Sequence, residues 1–267
     1  MKIVSFNING IRAHFHQLYE IVKKYDPDII GLQETKVENS LFPKDGFDHK
    51  YHIYLNGRKS YHGVALFSKK KLFDINIRFF KENSNEEHRV ISANIFFQET
   101  EIQIINIYCP QGENRNNKIK FNKKKNFYKN LIKYVQKKIF ENKNIILMGD
   151  MNISPEDQDI GIDPYHQNRW INLGKCGFLP EERIWMKKLK SFGLIDTYTK
   201  RNFFKKNKFS WFDYRSNGFL NKVGLRIDFI LVSKKLFDSC RSSGIDYSIR
   251  SMKRPSDHAP IWAFFEI

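Results

Sequence analysis

A chain of 267 residues with 41% hydrophobic and 15% aromatic residues, and only 14 glycines and 8 prolines, has a globular composition that excludes a disordered or collagen-like protein. Its 46 basic residues against 29 acidic ones leave a formal charge of +17, which favours a polyanionic partner, nucleic acid first; codon bias toward lysine is an alternative source of the excess. Three cysteines, Cys109, Cys176 and Cys240, exclude a paired disulfide framework and fit a reducing cytoplasm.

The amino terminus, Met1 to Phe6, reads as a strand and lacks the basic and long apolar regions of a signal peptide. No run approaches the roughly 18 apolar residues of a membrane span, so a soluble, cytoplasmic protein is expected. Further apolar runs predict buried strands at Lys2 to Phe6, Asp28 to Leu32, Gly63 to Ser68, Val90 to Phe97 and Ile102 to Tyr108. The same pattern recurs at Asn144 to Met148, Leu225 to Val232 and Ile261 to Phe265. Helical spacing is clearest at Phe15, Leu18, Val22 and Tyr25, and at Phe127, Leu131, Val135 and Ile139. Ile160 to Phe178 and Phe203 to Lys222 read as long loops, a class that is often functional. Within Lys200 to Phe209, Arg201, Lys205, Lys206 and Lys208 mix with Phe203, Phe204 and Phe209, as a DNA-facing strip or as a solvated loop. Strands and helices without strict alternation predict an α/β sandwich of antiparallel or mixed sheets with helices outside. No linker, repeat or shift of composition divides the chain, so one domain over residues 1–267 is expected.

Polar residues gather where these strands end. Asn7 and Asn9 follow Phe6, Gln33 and Glu34 follow Leu32, and Tyr108 closes its run. The strand from Asn144 delivers Asp150 and Asn152, which point the same way in extended chain. An acid and an amide on one face can bind a divalent metal, orient water and donate to a phosphate oxygen. Local alternatives exist for each: turn roles for Asn7 and Asn9, pairing of Glu34 with Lys36, a loop anchor at Tyr108, an N-cap at Asp150 and an Asx turn at Asn152. Asp228 lies inside an apolar strand, where a carboxylate is costly unless paired. Arg226 is one possible partner and His258, just before Pro260, is the other. A carboxylate on one imidazole nitrogen fixes the tautomer and raises basicity, which suits water activation or phosphate binding.

Seven segments in order, VSFNINGIR (Val4 to Arg12), IGLQETK (Ile30 to Lys36), NIYCPQG (Asn106 to Gly112), LMGDMNISP (Leu147 to Pro155), FSWFDYR (Phe209 to Arg215), GLRID (Gly224 to Asp228) and SDHAP (Ser256 to Pro260), resemble the exonuclease III type of abasic-site endonucleases over nearly the whole chain. The resemblance implies a four-layered α/β sandwich, two mixed β-sheets packed face to face with helices outside. It implies Glu34 as the main Mg2+ ligand, with Mn2+ as a substitute, supported by Asn7, Asp150, Asn152 and Asp257. Asp228 and His258 match an interacting acid and imidazole, Tyr108 a phosphate contact, and Asn152 a transition-state donor; whether Asp150 or His258 activates water stays open. Trp211, Leu225 and Ile227 match an apolar pocket for a flipped, baseless sugar, and Arg89 and Arg215 match DNA contacts. Asn9 stands where eukaryotic members tend to carry Asp, Leu225 replaces a tryptophan of those members, and Cys109 replaces a larger side chain.

The expected activity is magnesium-dependent hydrolysis of duplex DNA in base-excision repair by a monomer: 3' to 5' removal of nucleotides, incision at abasic sites and cleaning of 3' ends. A same-fold phosphoesterase acting on inositol phosphates or sphingomyelin is the alternative, disfavoured by the basic balance and the Trp211 segment. A DNA-binding protein without catalysis is disfavoured by the intact set of Glu34, Asp150, Asn152, Asp228 and His258.

Overall fold

A computed structural model describes residues 1–44, 46–80, 87–141, 144–201 and 208–267, without the side chains at 200 and 201. Two six-stranded sheets face each other. One has the order β11 (Cys240–Ile245), β12 (Ile261–Phe265), β1 (Lys2–Asn7), β2 (Ile29–Gln33), β4 (Val64–Ser68), β3 (His52–Asn56). The other runs β5 (Phe73–Asn76), β6 (Val90–Phe97), β7 (Thr100–Tyr108), β8 (Asn144–Asp150), β10 (Asp228–Val232), β9 (Ile195–Asp196). Both are mixed, with β1 parallel to β2 and β7 parallel to β8.

The strands read as continuous apolar runs because both of their faces are covered. Ile3, Leu66, Ile104, Ile146, Met148 and Ile230 fill the space between the sheets. Alternate residues Val4, Phe6, Ile30 and Leu32 pack outward against α1 (Ile11–Tyr25). On the far side Ile105, Ile145 and Leu147 meet Phe127, Leu131 and Val135 of α2 (Lys118–Phe140) and Met186 and Leu189 of α4 (Pro180–Lys190). Helix, sheet, sheet and helix are the four expected layers.

Four strands escape the sequence reading, and they are the four sheet edges: β3, β5, β9 and β11. An edge strand has one covered side and tolerates polar residues, so its apolar signal is weak; β5 is half-buried at Phe73 and exposed thereafter. The expected loop from Ile160 to Phe178 contains α3 (Pro164–Asn172), started by Asp163, whose side chain accepts from the His166 N–H at 3.1 Å, and by Pro164 in the first turn. Short helices α5 (Thr197–Arg201), α6 (Gly218–Asn221), α7 (Lys234–Ser239) and α8 (Tyr247–Arg250) join the remaining elements. In the basic and aromatic segment Lys200 to Phe209, residues 202–207 lie outside the described residues. Phe209 is buried and Lys208 lies 5.4 Å from the Tyr247 ring. Among the described residues no helix is long and apolar enough to cross a membrane.

Asn106 ties the sheets together behind the strand ends. From β7 its amide donates to the carbonyls of Leu32 at 3.0 Å and Ala65 at 2.9 Å, and its oxygen accepts from Gln33 at 2.6 Å, all fully buried. Asn106→Leu is expected to cost at least about 3 kcal/mol, because it orphans several buried polar groups at once. Urea unfolding measures this; a loss below roughly 1 kcal/mol would mean that water satisfies these groups.

Candidate active site

The parallel pairs deliver Asn7, Glu34, Tyr108 and Asp150 to one edge of the sandwich. Because β10 is antiparallel to β8 and β12 to β1, their entry residues Asp228 and His258 reach the same edge. The Asn7 amide nitrogen lies between two carboxylates, 3.0 Å from Glu34 Oε1 and 2.9 Å from Asp150 Oδ2. Lys36 Nζ pairs with Glu34 Oε2 at 2.8 Å and also bonds the Asn9 side-chain oxygen. Asn9 in turn donates to Asp257 Oδ1 at 2.8 Å, whose other oxygen accepts from the Trp211 indole at 2.9 Å. Asn9, Glu34, Lys36 and Asn152 have φ of 47, 53, 54 and 50°, a left-handed backbone disfavoured by about 1 kcal/mol per residue and typical of sites that aim side chains off a strand end.

The turn readings and the site reading hold together. Asn7 Oδ1 accepts from the Asn9 N–H and Asp150 Oδ1 from the Asn152 N–H, both Asx turns, while the opposite ends of the same side chains face the cleft. The Asn152 amide nitrogen donates to the Cys109 carbonyl at 2.8 Å and to Asp150 Oδ2 at 3.2 Å. A donor role toward phosphate requires it to exchange the longer of these bonds.

His258 Nδ1 donates to Asp228 Oδ2 at 2.8 Å, leaving Nε2 3.8 Å from Asp150 Oδ2. Arg226, the competing partner for Asp228, pairs instead with Asp159 at 2.7 Å and Asp196 at 2.8 Å. Burial opposes the charged imidazolium, yet the Asp228 carboxylate overrides it and His258 is pushed up to about 10. Burial, and then the Asp228 charge, raise Asp150 to about 8. Glu34 behaves differently: burial opposes its charge, but Lys36 and the Asn7 amide hold it below the usual carboxylate range. Glu34, Asp150 and His258 each present a ligand atom within 4.8 Å of the others. Asp257, with both oxygens taken, stands outside that group.

Glu34, Asp150, Asn152, Asp257 and His258 line a cleft of about 220 Å³ with Tyr108, Trp211, Leu225 and Ile227. Trp211 and Leu225 exchange backbone hydrogen bonds at 2.9 Å, and Leu225 and Ile227 pack with Ile160 and Phe178. Strand β10 therefore begins later than the expected Leu225, and the residues before it form the apolar wall. Arg89, expected as a DNA contact, sits under the cleft wall. It is buried, with its guanidinium 4.6 Å from the Tyr108 ring centroid and donating to the Tyr108 carbonyl. Arg215 is exposed on a turn outside the cleft lining. The sequence reading missed Gln111, Trp170, Cys176 and Gly177 in the lining. Trp170 was signalled by its place in a long functional-looking segment, and Gln111 by its position in the NIYCPQG motif.

Residues 4–258 match the Endonuclease/Exonuclease/phosphatase family. The chain is 48% identical over 267 residues to the exodeoxyribonuclease III of Haemophilus influenzae, covering 100% of both. Among solved structures, an AP endonuclease from Archaeoglobus fulgidus superposes with a TM-score of 0.90 at 32% identity, covering 100% of both chains. A 3' phosphatase from Neisseria bound to a product DNA hairpin gives 0.90 at 31% identity, again over 100% of both.

Proposed function

Because the chain belongs to the endonuclease/exonuclease/phosphatase family, we propose that this cleft hydrolyses DNA phosphodiesters in repair, and that the buried Asp228–His258 pair facing Asp150 is the observation that carries the reading. The chain is a DNA-cleaving hydrolase of the exodeoxyribonuclease III and abasic-site endonuclease kind. The carboxylates of Glu34 and Asp150 supply oxygen ligands that suit a hard divalent cation, Mg2+ with Mn2+ as substitute, while Asn7, whose amide nitrogen faces both carboxylates and whose oxygen is taken by the Asn9 N–H, would have to turn its oxygen inward to join them. Such an ion supplies Lewis-acid polarisation of the phosphate and neutralises developing charge.

The protein's own groups do the rest. Asp228 keeps His258 protonated, so its Nε2–H is a donor for a non-bridging phosphate oxygen whose charge grows in the transition state. Asp150, raised to about 8 by burial and the Asp228 charge, is the base in its ionised form: it takes the proton of the attacking water as the oxygen–phosphorus bond forms, and the leaving oxygen takes a proton from solvent as its bond to phosphorus breaks. Asn152 donates to the same phosphate once its longer bond to Asp150 is exchanged. Tyr108, braced by Arg89 and lining the same cleft, contacts a phosphate oxygen in this reading. The +17 charge draws in duplex DNA. The protein works as a cytoplasmic monomer of one domain spanning residues 1–267, with three free cysteines suited to a reducing compartment.

Abasic sites are the favoured target among duplexes, alongside 3' ends. A sugar without a base leaves the stack at lower cost than an intact nucleotide, and the wall of Trp211, Leu225 and Ile227 suits it. Matched duplexes with and without an abasic site, each with and without Mg2+, test the proposal; metal-independent cleavage or no cleavage of either duplex would refute it. Trp211→Ala is expected to lower abasic incision by roughly 10 to 100-fold while sparing hydrolysis of a small phosphodiester, since the indole face acts only on the inserted sugar. Equal losses on both substrates would make Trp211 a support for Asp257 alone.

A further inference from the structure

We propose that Lys124, paired with Glu182, is a positioning residue for the hydrolysis, an inference that rests on the role given above to Asn152. Lys124 is fully buried although it belongs to a lysine-rich helix, and its ammonium uses all three of its donors. They go to Glu182 Oε1 at 2.5 Å, to the Asn152 carbonyl at 2.8 Å and to the Gln111 carbonyl at 3.2 Å. Asn152 and Gln111 both line the cleft, one after β8 and the other after β7. The second oxygen of Glu182 accepts from the backbone N–H of Gly177 at 2.7 Å and of Leu179 at 2.9 Å, and Gly177 lines the cleft as well. One buried ion pair therefore fastens three separate cleft segments to α2 and α4.

The surrounding chain is shaped to admit this contact. Gly112 has φ +84°, and a Cβ there would lie 2.8 Å from the Lys124 stem and 2.9 Å from the Cys176 sulfur. A side chain at 112 would force the Lys124 stem or Cys176 to move. A buried ion pair is often no more stabilising than an apolar pair of equal volume, so stability alone does not account for a charged pair here. What the charge provides is fixed placement of two carbonyls by one atom, and through them the aim of the Asn152 amide, whose residue sits at φ 50°.

The test measures kcat and KM on an abasic duplex, with Tm, for Lys124→Met, Lys124→Met/Glu182→Gln and the core variant Leu189→Ala, which lies further along α4 and joins none of these hydrogen bonds. Lys124→Met is expected to lose about 10 to 100-fold in kcat, the scale of a small displacement of a reacting group, with KM within about threefold. The double variant should regain Tm, because glutamine at position 182 carries no unpaired charge and its amide oxygen still accepts from the Gly177 and Leu179 N–H groups, but should not regain turnover. Leu189→Ala should lose Tm and keep kcat below its unfolding temperature. Recovery of turnover along with Tm in the double variant, an equal kcat loss in Leu189→Ala, or a loss confined to KM would each overturn the positioning role. The wild type is read first on the same duplex: its failure to cleave would refute the DNA reading, whereas cleavage that the double variant matches would refute only the role of Lys124.

Discussion

Glu34→Ala is expected to abolish metal-dependent cleavage and leave a folded protein. The carboxylate stands beyond the end of β2 and is partly open to the cleft, with 18% of its side chain exposed. Its two partners survive its removal, because Lys36 is itself 35% exposed and can be hydrated, and the Asn7 amide keeps its bond to Asp150. What is lost is the only carboxylate of the group held clearly in its charged form, by Lys36 and Asn7. A divalent ion supplies several kcal/mol of transition-state stabilisation, so turnover at limiting Mg2+ should fall by roughly a thousandfold or more. Mn2+ binding, followed by its paramagnetic signal, should weaken in parallel without any assay of activity. Unchanged turnover or unchanged Mn2+ affinity would remove Glu34 from the metal site.

The second large effect concerns the acid and imidazole pair. Asp228→Asn keeps the shape of the side chain but takes away the charge that holds His258 protonated. His258→Ala removes the donor outright. Each is expected to lower kcat by about 100 to 10,000-fold, the usual range for a group acting in proton transfer or on developing charge. Duplex affinity should change little, because both side chains are buried, at 3% exposure, and only the imidazole edge meets the cleft. Binding is measured separately, by fluorescence anisotropy without metal. Loss of affinity with kcat preserved would make the pair a substrate anchor instead.

Much of this site was legible before any coordinates, because a buried parallel strand writes a plain signal. Its run of apolar residues ends abruptly, and the polar residues that follow, Asn7, Glu34, Tyr108 and Asp150, stand at the rim where chemistry is possible. The Asp228 carboxylate announced itself by its cost inside an apolar strand, and its pairing with His258 is found at 2.8 Å. Edge strands β3, β5, β9 and β11 gave no such signal, since one of their sides needs no cover. Helix α3 was signalled by Asp163 and Pro164, yet a loop was read in its place.

The sequence by itself determined an α/β sandwich with helices outside and the strand ends where polar residues gather, because periodicity and the cost of burying polar groups are local properties of the chain; the four layers and the apolar residues Trp211, Leu225 and Ile227 followed from the resemblance of its motifs. Only the tertiary structure decided that Arg226 turns to Asp159 and Asp196, that Arg89 lies beneath Tyr108, and that Lys124 alone among the lysines of α2 is fully buried. Lys124 shares a helix face with Phe127, Tyr128 and Leu131, so the stripe pointed inward at that position. The partners that make such a charge tolerable come from other elements, Glu182 on α4 and the carbonyls of Gln111 and Asn152, and no local pattern contains them.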